Sequence, residues 1–76
     1  MEVKEKGIYK HFKDHLVEVL YIAKHTETDE KMVVYKHLDT NEIWVRPYDM
    51  FTSKVDKEKY PDIGQIYRFE LVEENN

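Results

Sequence analysis

The sequence predicts an all-β fold, a small five-stranded SH3-like antiparallel barrel. Three observations carry this. Five stretches alternate apolar and polar side chains with the two-residue period of a strand. Most of the connections between them are short enough for tight turns. Finally, no window of the 76 residues holds apolar positions at sustained helical spacing.

The stretch Glu42 to Phe51 organises the rest, because it contains the single Trp, one of two prolines and one of two arginines. Within it Ile43 and Val45 alternate with Trp44 and Arg46, so the two pairs face opposite ways. The aliphatic pair is expected to anchor the core, leaving Trp44 and Arg46 to line the outside. Pro47 lacks an N–H and biases Arg46 toward extended backbone, which should end the ladder. Tyr48 to Phe51 reads as a tight turn or one short helical turn after Pro47, with Met50 and Phe51 plugging one end of the core.

Taken in order, Gly7 to Phe12 reads as a first strand, with Ile8, Lys10 and Phe12 on one face and Tyr9 and His11 on the other. Lys13 and Asp14 form a turn, Asp being able to bond its own backbone. His15 to His25 is a long second strand, apolar on both faces around Val19 to Ala23, and in so small a domain it must bend. A polar link, Thr26 to Glu30, leads into a third strand over Met32 to Leu38, and Asp39 to Asn41 turns the chain into the fourth. Ser53 to Gln65, with Pro61 and Gly64, reads as an exposed charged loop. Ile66 to Val72 alternates as a fifth strand, with Tyr67, Phe69 and Leu71 inward. The whole is read as one domain over residues 7–72, with residues 1–6 and 73–76 as flexible termini. An open curled sheet that covers its edge by dimerising is the alternative architecture.

Composition narrows the function classes. The chain is 41% hydrophobic and 37% charged, with a formal net charge of -4, so a thin core lies under a heavily solvated surface. The absence of cysteine removes disulfide frameworks, Cys-based zinc sites and thiol catalysis. No signal peptide is read at the N-terminus and the longest apolar run, Val19 to Ala23, is far short of a membrane span. A cytoplasmic setting is expected.

The chain also resembles the bacterial family of unknown function DUF1653. The matching pieces are Gly7 to Lys13, Glu18-Val19, Ala23 to Thr28, Val33 to Tyr35, Trp44 to Pro47, Met50-Phe51 and Arg68-Phe69. Together they span most of residues 7–71. The resemblance implies membership of a family whose name assigns no activity. Asp14 stands where a glycine is expected, and Val17 where an aromatic is usual. Asp39 to Glu42 is shorter than expected and Ser53 to Gln65 longer.

The candidate site is a polar and aromatic set: Tyr9, His11, His25, Glu27, Tyr35, Trp44 and Arg46. An exposed aromatic beside a cation suits a peptide or a small anionic ligand, and Arg46 can pair bidentately with a carboxylate or phosphate. The reading is therefore a non-enzymatic binding or interaction module, with an unknown protein, peptide or small ligand as partner and no cofactor. As a monomer or weak homodimer it would act away from membranes. Three alternatives stand beside it. Tyr9, Tyr35 and Trp44 could serve as stacking platforms for nucleic acid, against which the acidic balance argues unless Lys10, Lys13, Lys24, Lys36 and Arg46 gather on one face. His25, Thr26 and Glu27 place a base, a hydroxyl and a carboxylate together, as a small hydrolase or transferase would need. His11, His15, His25 and His37 could supply a metal site with Glu27, but their spacing matches no ligand motif and no metal is assigned.

Overall fold

The computed structural model describes residues 2–74. It is mostly β, with strands β1 (Gly7–His11), β2 (Leu16–Lys24), β3 (Lys31–His37), β4 (Ile43–Pro47) and β5 (Phe69–Glu74), and one short helix, α1 (Tyr48–Phe51). All five strands lie in one antiparallel sheet in the order β4-β3-β2-β1-β5. The edges β4 and β5 do not pair, so the expected barrel is a curled sheet left open. Physically, α1 and the segment 52–68 stand between the two edges. Phe51 from the helix stacks on Phe69 of β5, with ring centroids 4.0 Å apart, where a closed barrel would have a ladder.

The concave face carries the core. Tyr9, Val17, Val19, Val33, Tyr35, Phe51 and Phe69 are buried there with Val3, and Val55 is buried outside that cluster. Tyr9 and Tyr35 meet Phe51 edge-on at 5.5 and 5.6 Å, an arrangement favoured by the ring quadrupoles. Two of these residues correct the sequence reading. Val3 joins the core from a segment expected to lie outside the domain, and Val55 comes from a stretch read as wholly exposed. On the other side β5 runs through Glu74, while Met1, Asn75 and Asn76 lie outside the described residues.

The expected bend in β2 is a β-bulge. Pairing with β3 shifts between Val19 and Tyr21, so Leu20 is the extra residue and the alternation changes phase there. Val17 and Val19 point inward before the bulge and Ile22 packs on the core after it. The apolar run on both faces of this strand thus has a local cause.

Four non-glycine residues hold left-handed backbone, each beside or within a turn: Lys6, Asp14, Asn41 and Asp29, at φ 68°, 70°, 61° and 58°. Asp and Asn tolerate this region because their short polar side chains bond locally. Asp14 thus holds a backbone conformation that glycine adopts most freely. Gly7 is needed for another reason: a Cβ there would lie 2.9 Å from Leu71 Cδ1, 3.0 Å from Tyr9 Cε1 and 3.1 Å from the Lys4 carbonyl oxygen.

The face assignment of β4 is the reverse of the expected one. Trp44 pairs with Tyr35 and Arg46 with Val33, and directly opposed residues share a face. Trp44 and Arg46 therefore belong to the concave side, whereas Ile43 and Val45 lie on the convex side, 63% and 58% exposed. The reason is register: β3 presents Val33 and Tyr35 to the core, and β4 must follow it. Trp44 nonetheless stays 51% exposed because β4 is an edge strand and the concave face is open beside it.

Candidate functional site

The seven residues singled out in the sequence divide into three groups. Tyr9 is core. Its ring is buried and its hydroxyl accepts a hydrogen bond from the Lys4 backbone N–H at 2.9 Å, with burial raising the phenol pKa above its ordinary value. Tyr35 is also buried, meeting Phe69 edge-on at 5.7 Å.

His25 and Glu27 sit at the far tip of the β2–β3 hairpin, both exposed. The His25 Nδ1 accepts the Glu27 backbone N–H at 3.1 Å, while the Thr28 hydroxyl oxygen accepts that of Glu30 at 3.1 Å. This is turn chemistry. It occupies the Nδ1 of the imidazole, and the exposed pair lies away from the residues that line the cleft described below. Nor do the histidines converge: among the described residues no three His, Cys, Asp or Glu side chains are arranged to hold a metal ion.

His11, Trp44 and Arg46 remain, and the fold brings them to one rim of the concave face. His11 lies edge-on to Phe69 at 4.9 Å, and the Arg46 guanidinium sits 5.5 Å above the same ring. From His11 a row of rings continues through His15 and His37 to Trp44, with centroids 6.2, 6.0 and 6.0 Å apart in succession.

Beside this rim the structure holds a cleft of about 430 Å³ that sequence reasoning missed. Five cations line it: Lys13, Arg46, Lys54, Lys59 and Arg68. They amount to five of the chain's 12 Lys and Arg, gathered in a molecule of net charge -4. The single lining carboxylate, Asp56, accepts the backbone N–H groups of Glu58 and Lys59 at 3.0 and 3.4 Å, so it is engaged in its own turn. Among the described residues none of the five cations forms a salt bridge; the three ion pairs present use Lys4, Lys10 and Lys36.

Each wall of the cleft has a local cause. Arg68 is oriented by its Nε, which donates to the Ser53 hydroxyl oxygen at 3.0 Å, and by backbone bonds from its N–H to the Ser53 carbonyl and from Phe12 to its own carbonyl. Lys54 is brought opposite by an isolated bridge with Tyr67. Gln65 pins the loop to β1 by donating through Nε2 to the Lys10 carbonyl at 2.8 Å, and Lys57 Nζ donates to the Ile63 and Gln65 carbonyls. Phe12 meets Tyr60 edge-on at 5.0 Å, with the Lys13 ammonium 5.8 and 5.5 Å from the two rings. The Lys13 side chain foremost, with the charges of Lys13 and Lys59, lowers the Tyr60 phenol pKa, burial acting in the opposite sense.

His11 reports the electrostatics of the cleft. Burial first, then Arg46, Arg68, His15 and Lys13, lower its pKa to about 4. Its Nδ1 accepts the Lys13 backbone N–H at 3.1 Å, which also requires that nitrogen to be unprotonated. At neutral pH His11 is therefore an uncharged wall in a site of positive potential.

The fold and the site define a small open β-sheet domain with a cationic cleft at one end of its concave face. A family described as protein of unknown function (DUF1653) matches residues 7–71, and the chain belongs to that family. A similar solved structure is the crystal structure of a DUF1653 protein from Bordetella bronchiseptica. It is 28% identical, has a TM-score of 0.77, and the match covers 96% of this chain and 92% of that one. No curated protein matches the chain.

Proposed function

We propose that this domain is a non-enzymatic binding module that takes a small molecule bearing phosphate or carboxylate groups into the cleft of Arg46, Arg68, Lys13, Lys54 and Lys59. The observation that carries this reading is the convergence of five unpaired cations around one occupied carboxylate in an acidic chain. Charges of like sign repel, and a fold that gathers them without an ion pair among the described residues retains a potential suited to an anion. The two guanidiniums offer planar forks for oxyanions, while the ammoniums add point charge.

The size of the cleft favours a small molecule over an extended peptide, since about 430 Å³ lies within the range of small-ligand sites. The fold's one helix, four residues long, is far too short to cross a membrane.

Inorganic pyrophosphate is a suitable probe, and amide chemical-shift mapping is the readout. Shifts are expected at Phe12, Lys13, Lys54 to Tyr60 and Arg68, with the hairpin tip His25 to Glu30 unmoved. Equal shifts at both ends of the molecule would mean diffuse attraction and would sink the reading. A single-stranded oligonucleotide binding more tightly than pyrophosphate, with a steep salt dependence, would instead favour a phosphate-tracking role.

A further inference from the structure

The two edges of the sheet are treated differently. The β5 edge is guarded: it carries Glu70, Glu73 and Glu74, and the Glu70 carboxylate accepts the Ile66 and Tyr67 N–H groups, folding the preceding segment against it. Self-pairing there would set carboxylates against each other. β4 has no such guard. Its convex side chains are Ile43 and Val45, continued on the same face by Val34 and by Tyr21, which is 65% exposed. Natural sheets blunt an exposed apolar edge or pair it.

The ladder also fixes which backbone groups of β4 are free. The His37 N–H bonds to the Glu42 carbonyl at 2.9 Å. Antiparallel pairs alternate between hydrogen-bonded and non-bonded, so Trp44 and Arg46 point their backbone groups at β3. Ile43 and Val45 direct their N–H and C=O groups to the open side. Pro47 falls in phase with Ile43 and Val45, where its missing N–H costs the ladder nothing.

We infer that β4 is a homodimerisation edge: it pairs antiparallel with β4 of a second copy about a two-fold axis at Trp44, making one ten-stranded sheet. In this register Ile43 and Val45 of one copy exchange backbone hydrogen bonds with Val45 and Ile43 of the other, closing apolar pairs on the convex face. The two Trp44 residues oppose each other on the concave face, and Glu42 of each copy stands opposite Arg46 of its partner in the ladder, the guanidinium itself remaining over Phe69. Centring the axis on Val45 would oppose Ile43 to Pro47, forfeiting a bond in each of the two symmetric pairs, and would set Trp44 against Arg46. Centring it on Ile43 would face Glu42 with Trp44 and leave Arg46 without its acidic counterpart. Charge complementarity therefore selects the Trp44 register, and the occupant is a second copy because the strand is complementary to itself. A five-residue seam is small, so the dimer is concentration-dependent.

The absence of cysteine makes the test clean. Sedimentation of the full chain should show the 9.3 kDa species giving way to one of twice that mass as concentration rises to about 1 mM, the range expected of a small interface. Val45→Lys should lower the association constant at least about tenfold, with unchanged circular dichroism and thermal melting. In Trp44→Cys the introduced thiols lie across a non-bonded pair and should oxidise to a symmetric disulfide much faster than those of Tyr21→Cys, whose copies are far apart. A chain monomeric throughout, a dimer that survives Val45→Lys, or equal crosslinking of the two cysteine variants would each overturn the inference.

Discussion

At the scale of single residues, His11 connects packing to charge. Its folded pKa of about 4 lies below the ordinary 6.5, so between these values the unfolded chain binds a proton that the folded chain does not. Stability must therefore fall as pH drops from about 6.5 toward about 4. Urea unfolding of the wild type and of His11→Asn at about pH 7 and about pH 4.5 checks this, the variant losing less stability on acidification because the titrating group is gone. Gly7 has a steric role, and Gly7→Ala is expected to cost about 1 kcal/mol because the Leu71 tip can move but the Lys4 carbonyl is backbone. His25, by contrast, only caps an exposed turn, so His25→Ala should change both stability and pyrophosphate binding little. An unfolding midpoint lowered as much as by Gly7→Ala would contradict that placement.

At the scale of elements, strands declare themselves by alternation, and β1 to β4 run close to where the pattern predicts them, with α1 directly after Pro47. β5 begins at Phe69 and not at Ile66 because the Glu70 carboxylate takes the Ile66 and Tyr67 N–H groups before any ladder can. Alternation separates Ile43 and Val45 from Trp44 and Arg46 but does not say which pair faces the core. The register with Val33 and Tyr35 decides it, and register is a property of two strands together. The single turn of α1 has no intrinsic stability at four residues and depends on Phe51, which is fully buried between Tyr9, Tyr35 and Phe69. Phe51→Ala should cost about 3–5 kcal/mol, a large part of the stability of so small a domain. Thermal melting should show loss of the cooperative transition or a large fall in its midpoint, whereas Phe51→Leu should retain a cooperative melt.

At the scale of the molecule, the candidate site was legible in part. Arg46 and His11 do line the cleft, and they were visible as a cation and a ring on alternating strands. Lys13 was visible only among cations that would have to share a face, and Lys54, Lys59 and Arg68 were hidden, because their convergence depends on how the segment 53–67 folds back onto β1 through Gln65 and Lys57. A loop rich in lysine reads from sequence as solvated surface. What draws it into the cleft is a long-range contact whose closing residues, Gln65 and Ser53, carry no motif. Overall acidity argued only against a nucleic-acid surface, and net charge is a sum, whereas local field depends on where the charges sit. Calorimetric titration of inorganic pyrophosphate into the wild type, Arg68→Gln and the control Lys24→Gln tests this most directly. Binding at low salt that Arg68→Gln weakens about tenfold or more and Lys24→Gln leaves unchanged is the predicted result; no binding, or equal weakening by the two variants, would contradict it.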